Sequence, residues 1–263
     1  MDFTPASPDD IRASTKDGVL EVVINRPEKR NPLSLGVLQR LRGIFLEASA
    51  DLGLRFATIT GMGEKAFASG GDVSELMSVT TSDQARFLTE HGKAALNAVR
   101  NFPVPVVACL NGVALGGGAE LAVACDLRFA AAHATIGFIH SRLAIAPSWG
   151  GSIDLVRLLG YGTALRMMTR CEILDAEAAL KIGLFDGVTP AGQTLEQAFA
   201  EFTAVLRTQP PQVMRAMKAA GKEERMLNRA AAESVETENF VNVWVHDDHW
   251  AAIAAGTKKT GAK

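Results

Sequence analysis

The sequence predicts an α/β fold with at least partly parallel strands, followed by a helical C-terminal region. Three observations carry this expectation. Short apolar, β-branched runs alternate with helical periodicities up to about Val188, the pattern of strands joined by crossover helices. Asp17-Gly18 separates two short apolar runs in IRASTKDGVLEVVINRP, and such a pair is a strong hairpin turn. Beyond Val188 the strand signals stop, and TLEQAFAEFTAVLRT, PPQVMRAMKAAGKEERM and the stretch from Arg229 to Ala255 all read as helices.

Each element follows in order. After the hairpin, SLGVLQRLRGIFLEASAD sets Val37, Leu38, Leu41, Ile44, Phe45 and Ala48 at helical spacing, with Ser34 as its cap. RFATITG is the next strand, closed by Gly61. A helix is expected from about Ser82 to Arg100, then the strand VPVVACLNG, then a helix opened by Gly116, Gly117 and Gly118. DLRFAAA and ATIGF are further short strands. Pro211 suits the first turn of a C-terminal helix. No Gly/Ser-rich linker divides the chain. Residues 1–190 are therefore read as the core and 191–263 as a helical region docked on it or on a neighbouring subunit. The tail GTKKTGAK is expected to fray.

Composition narrows the function. The chain has 263 residues, 48% hydrophobic and 21% charged, enough for a substantial core. A net charge of -2 without a long basic run argues against a nucleic-acid partner. Cys109, Cys125 and Cys171 cannot all pair within one chain, and two lie in apolar stretches. They read as reduced thiols of a cytoplasmic protein. MDFTPASPDDIRAS lacks the basic and apolar regions of a secretory signal. The most apolar segment, residues 104–125, is broken by Asn111 and Glu120, so no membrane span is expected.

The segment LNGVALGGGAELAVACD, residues 110–126, raises the chemical question. Glycine costs a helix interior about 1 kcal/mol relative to alanine. A glycine turn at a helix N-terminus, however, exposes free N–H groups at the positive end of the macrodipole. It suits an anion, or an oxygen that becomes anionic during reaction. The dinucleotide and Walker phosphate patterns both fail on spacing: Leu121 stands where the last glycine of the first belongs, and the chain has no G-K-[ST]. Two structural readings remain beside the functional one. The glycines can serve tight packing, and Glu120 can be a first-turn acid favoured by the dipole. A second loop, KAFASGGDVSEL at residues 65–76, also follows a strand and leads toward a helix. Two such loops could each aim an N–H at one oxygen.

This pair, A-F-A-S-G-G-D with N-G-x-A-L-G-G-G-A-E, resembles the crotonase, or enoyl-CoA hydratase/isomerase, superfamily. INRPEKRNPLS resembles its N-terminal signature, and CDLRFAAAHATIGF the segment after its glycine loop. The resemblance implies a spiral core of ββα repeats with a helical C-terminal trimerisation region, assembled as a homotrimer or dimer of trimers. It implies acyl-CoA thioester substrates, with coenzyme A part of the substrate and no separate cofactor. The thioester oxygen would be held by the N–H groups of Gly71 and Gly117, stabilising an enolate. Lys29 and Arg30 become candidates for the CoA phosphates, although lysine and arginine at such positions also read as solvated side chains. Ala66, Ala68, Asp72 and Val73 would border the adenine. Trp149 either packs or walls the acyl pocket.

The sequence departs from the hydratase pattern at one position. Glu120 matches the first of two catalytic glutamates, but His140 in IGFIHSRLAIAPSWGG stands where the second belongs. FIHSRLAIAPSWGG is similar to the corresponding segment of ethylmalonyl-CoA decarboxylases, a crotonase branch with histidine in that place. A carboxylate titrates near pH 4.3 and an imidazole near 6.5, so the exchange changes the chemistry. His140 can be an acid, an ion-pair partner of Glu120, or a packed histidine. The resulting expectation is an acyl-CoA lyase, with decarboxylation of a 2-alkylmalonyl-CoA placed slightly ahead of 2-enoyl-CoA hydration. A catalytically weak acyl-CoA binding protein is the third reading. Pro147 makes APSWG a poor nucleophile elbow. His246-Asp247-Asp248-His249 reads as an exposed helical face, and no metal site is expected.

Overall fold

The computed structural model describes residues 5–260 of the chain. Strands β1 (Ile11–Lys16) and β2 (Val19–Ile24) form the expected antiparallel hairpin, with Lys16 opposite Val19. Asp17 and Gly18 take φ 50° and 74°, the left-handed pair that a two-residue hairpin turn requires. Helix α1 (Leu35–Ala48) begins where Ser34 Oγ accepts the Val37 N–H, and it buries Val37, Leu38, Leu41, Ile44 and Phe45. Each such side chain contributes about 1.5–3 kcal/mol of burial, which decides this helix more than its propensities do.

Three repeats follow. β3 (Phe56–Gly61) and β4 (Ala66–Ala68) lead to α2 (Val73–Leu76) and α3 (Ser82–Arg100). β5 (Val106–Leu110) and β6 (Val113–Leu115) lead to α4 (Gly117–Ala124). β7 (Leu127–Ala130) and β8 (Thr135–Gly137) lead through a short 3-10 turn at His140–Leu143 to α5 (Gly151–Leu159). Within each repeat the first strand joins one sheet and the second joins another. The larger sheet has the order β1-β2-β3-β5-β7-β10 and is parallel from β2 onward. The smaller has the order β4-β6-β8-β9. This alternation makes the spiral. α6 (Tyr161–Thr169), β9 (Ile173–Asp175), α7 (Ala176–Lys181) and β10 (Gly187–Val188) complete the core.

α8 (Leu195–Thr208), α9 (Pro211–Met226), α10 (Arg229–Trp244) and α11 (Asp247–Thr260) form the C-terminal region. Phe199 and Phe202 of α8 pack against Val19, Phe56 and Val107 of the larger sheet. α10 lies along α3, tied by Arg86 to Glu238. α11 continues into the tail expected to fray, as far as Thr260, and residues 261–263 lie outside the described part.

The sequence reading merged three short strands into loops. β4, β6 and β9 have three residues each, too few for a period-2 pattern to register; β8 is as short and was legible only because β-branched and aromatic residues flank its glycine in ATIGF. β6 in particular interrupts the expected direct passage from VPVVACLNG into the glycine run, and it pairs with β4 and β8. Cys109 and Cys125 are buried and unpaired, and burial pushes both thiols up to about 12. Among the described residues no helix is long and apolar enough to cross a membrane.

Candidate active site

The three glycines of the 116–118 run answer to three different constraints. Gly116 has φ 54° and ψ −122°, a backbone conformation that an L side chain does not tolerate. A Cβ on Gly117 would stand 2.3 Å from the Trp149 ring, and one on Gly118 would stand 2.0 Å from the Ala68 carbonyl oxygen. The run therefore lets α4 close on β4 on one side and on Trp149 on the other. Gly117 opens α4, so its N–H is one of those a helix leaves without an internal acceptor. The first loop lies alongside: a Cβ on Gly70, itself at φ 111°, would be 3.7 Å from the Gly117 nitrogen.

The N-terminal signature braces that first loop. Asn31, buried, donates to Met62 O and Ala66 O and accepts the Arg26 N–H. The Leu33 N–H reaches Gly70 O, and the Ser69 N–H reaches Arg30 O. Arg26 pairs with Asp72 at 2.8 Å, and the other Asp72 oxygen takes the Ser74 N–H and hydroxyl. Burial would raise the Asp72 carboxyl, but the Ser74 and Arg26 contacts outweigh it and hold it below the ordinary range.

Glu120 sits in the first turn of α4, buried at 1% exposure. Its Oε2 accepts the N–H groups of Trp149 at 2.8 Å and Gly151 at 3.0 Å. Its Oε1 accepts Ser148 N at 3.4 Å and His140 Nε2 at 3.2 Å. These four contacts match the roughly four acceptor positions of a carboxylate. Burial alone would raise the Glu120 carboxyl; the His140 hydrogen bond and charge, then the Gly151 and Trp149 N–H groups, leave it lowered. With Nε2 committed to Glu120, His140 Nδ1 is buried and has no hydrogen-bond partner among the described residues.

Gly71, Gly117, Glu120, His140 and Trp149 all line one small cavity of about 50 Å³. Leu76, Leu88, Ile145, Phe240 and Trp244 give it an apolar wall. Trp149 both packs and walls: its ring fills the space left by Gly92 and Gly117. The arrangement places a carboxylate–imidazole pair beside two glycine loops in an apolar recess. That is suited to moving a proton next to an oxygen that gains charge.

The enoyl-CoA hydratase/isomerase family profile matches residues 14–258. The chain belongs to that family. The short-chain-enoyl-CoA hydratase of Clostridium acetobutylicum is 31% identical over 245 residues, covering 93% of each chain. The ethylmalonyl-CoA decarboxylase of Mus musculus is 32% identical over 248 residues, covering 93% of this chain and 76% of the relative. A crystal structure of enoyl-CoA hydratase from Bacillus anthracis superposes with a TM-score of 0.77 at 30% identity, covering 95% of this chain and 96% of that one. The fold is thus that of the enoyl-CoA hydratase/isomerase enzymes, as the glycine-loop pair implied.

In this member of the family, the remaining residues proposed from sequence are not brought to the cavity. Lys29 and Arg30 are exposed on the 3-10 turn at Pro27–Lys29 and its cap. Val73 is exposed at the start of α2, while the side chains of Ala66 and Ala68 are buried in β4. Ala66 does line a separate hollow of about 290 Å³, with Pro27, Glu28, Asn31, Met62, Gly63, Glu64 and Lys65. The His246–His249 segment needs a correction. His246, Asp247 and Asp248 are exposed, but His249 is buried, donating to Leu143 O at 2.7 Å with its ring 4.4 Å from that of Trp244. The apolar partner across that turn of α11 was not visible in the local sequence. Phe240 and Trp244 were also missed; their i, i+4 spacing marks a buried helical face but not which cavity the face closes.

Proposed function

We propose that this enzyme is an acyl-CoA lyase working through a thioester enolate, and that its reaction is hydration of a short 2-enoyl-CoA. The observation that carries the reading is the contact between Glu120 and His140 at 3.2 Å, in the same recess as Gly71 and Gly117. In this reading the N–H groups of Gly71 and Gly117 hold the thioester oxygen. Glu120, its oxygens occupied, orients His140 and stabilises the imidazolium. His140 exchanges the proton through Nδ1. Water oxygen bonds to the β-carbon while His140 takes a water proton, the double-bond electrons move onto the thioester as an enolate, and the proton returns to the α-carbon. The hydratase names of relatives across nearly the whole chain support this order of preference over the decarboxylation that the 136–151 segment first favoured. The small apolar recess supports a short acyl group.

A second reading, decarboxylation of a 2-alkylmalonyl-CoA, has its own support. His140 touches Glu120 directly, and decarboxylation needs no water bracketed by the two groups. The bond from the α-carbon to the carboxylate would break, carbon dioxide would leave, its bonding electrons would form the enolate, and His140 would protonate the α-carbon. Similarity to a decarboxylase of the family supports this too.

Crotonyl-CoA hydration, followed by loss of enoyl absorbance, and carbon dioxide release from ethylmalonyl-CoA decide between them on the purified protein. Hydration is expected to be the faster. Carbon dioxide release without crotonyl-CoA turnover would reverse the order, and tight binding without either turnover would leave a binding protein. His140→Glu, which restores two carboxylates, is expected to raise the hydration rate and abolish any carbon dioxide release.

We further propose that copies assemble through the C-terminal helices as a trimer or dimer of trimers. Exposed Val205, Met217 and Val235 on α8, α9 and α10 support this. Light scattering is expected to give a trimer or hexamer at micromolar concentration; a stable monomer would contradict it.

A further inference from the structure

The turn from Ser148 to Ser152, between the His140–Leu143 segment and α5, is gripped from opposite sides by two buried carboxylates. Glu120 takes the N–H groups of Trp149 and Gly151. Glu236 of α10 takes the intervening Gly150 N–H at 2.7 Å and the Ser152 hydroxyl. The carbonyls of the same turn are held by buried arginines: Trp149 O by Arg100 at 2.8 Å and Gly150 O by Arg229 at 3.0 Å. Glu236 does not line the cavity. It is 8% exposed, and its counter-ion is the equally buried Lys93 of α3, with Nζ 3.6 Å away. Lys93 also donates to Thr237 Oγ1 and Glu233 O of α10. A lysine and a glutamate buried this deeply are rare unless paired, and neither is used by the chemistry described above.

We propose that Glu236 is a positioning residue for the Glu120–His140 pair: it locks the turn that holds Glu120 and sets a second buried negative charge behind that pair. The proposal rests on the reading of His140 as the group that exchanges the proton. Its geometric part is that Glu120 keeps its place only while the turn's N–H groups alternate between the two carboxylates. Its electrostatic part is that an anion behind the pair favours the protonated state of the pair. The groups facing Glu236 are Lys93 from α3, Glu120 from α4, and Ser152 and the Gly150 N–H at the start of α5; Glu233 on its own helix acts on the same Lys93 and pairs with Arg229. Arg100, Asp154 and Arg229 lie on the neighbouring side of the turn. Burial, then the Glu120 charge, raises the Glu236 carboxyl to about 7, against the opposing pull of Ser152, Lys93 and the Gly150 N–H. Glu236 thus gains its charge near neutrality.

The test compares kcat and KM against pH for wild type, Glu236→Gln, Glu236→Asp and His140→Gln, using whichever of crotonyl-CoA and ethylmalonyl-CoA the wild type turns over. Gln keeps an acceptor for the Gly150 N–H but loses the charge; Asp keeps the charge but loses reach. In Glu236→Gln the midpoint of the pH profile is expected to move down by about half a unit or more, with KM changed less than about twofold. In Glu236→Asp the midpoint stays and kcat falls. A Gln profile that superposes on wild type, or a change confined to KM, overturns the proposal. If the Gln variant does not fold, a wild-type kcat in the Asp variant overturns it. His140→Gln separates the two levels. Wild-type turnover there refutes the proton-exchange reading itself, whereas loss of turnover there with an unmoved Glu236→Gln profile refutes the positioning role alone.

Discussion

Replacing His140 by glutamine is expected to lower kcat by about 10²–10⁴-fold, the range that a positioned acid or base contributes, with KM little changed. Glutamine can still offer an N–H to Glu120 Oε1, so the 3.2 Å contact and the turn held by Glu120 have a replacement. What is lost is the ring nitrogen that both accepts and releases a proton. Retention of KM would show that the thioester is still held by the glycine loops, so the loss would lie in the chemical step. A variant with wild-type kcat would mean that His140 only packs against Glu120. Thermal melting should show little change, because His140 lines the cavity and is not among the residues of the main apolar core.

The second large effect concerns stability. Asp154→Ala is expected to destabilise the fold by about 3–5 kcal/mol, the cost of breaking a buried ion pair by removing one partner. Asp154 of α5 is 2% exposed and pairs with Arg100 at 2.8 Å, Arg229 at 2.8 Å and Arg225 at 3.4 Å. Arg100 and Arg229 are buried as deeply, so without the carboxylate Arg100 loses its ion-pair partner and Arg229 keeps only Glu233, at 2.7 Å, to offset it. The same arginines hold the Trp149 and Gly150 carbonyls, so the damage should extend to the turn beside Glu120. Urea unfolding of both proteins measures the difference; a loss below about 1 kcal/mol would show that the arginines find other partners. Acid behaviour follows with a definite sign. Burial would raise the Asp154 carboxyl, but Arg100, Arg225 and Arg229 hold it below the ordinary range. Its contribution is present above the unfolded value near 3.9 and is lost as pH falls through the lower folded value. Wild type should therefore lose its stability advantage over the alanine variant in that acid window.

The legible part of the fold was local in origin. The Asp17-Gly18 turn, the Ser34 cap and the Ser82–Arg100 helix all follow from residues within a few positions of one another, and all three stand as read. The three-residue strands β4, β6 and β9 were not legible, because they are defined by pairing across the spiral and not by any pattern of their own. The site divides in the same way. Two glycine loops and Glu120 were visible as motifs, and the His140 departure was visible against them. Their mutual support was not: Asn31 under Ala66, Trp149 in the space of Gly92 and Gly117, and Glu236 against Gly150 all join residues remote in sequence. Lys93 and Glu236 were least legible, since a charged residue on an amphipathic helix reads as solvent-facing until the partner helix is known. Asp72 carries a role the motif did not announce. Its motif position pointed to the substrate, while its carboxylate is occupied by Arg26 and Ser74.

The central claim is that one thioester oxygen is held by the N–H groups of Gly71 and Gly117 beside His140. A crystal structure with a non-reacting acyl-CoA thioester tests it most directly. The account predicts both nitrogens at about 2.7–3.1 Å from that oxygen, with the acyl group in the recess formed by Leu76, Leu88, Ile145, Phe240 and Trp244. A thioester oxygen bound by neither glycine, or an acyl group lying outside that recess, would contradict it.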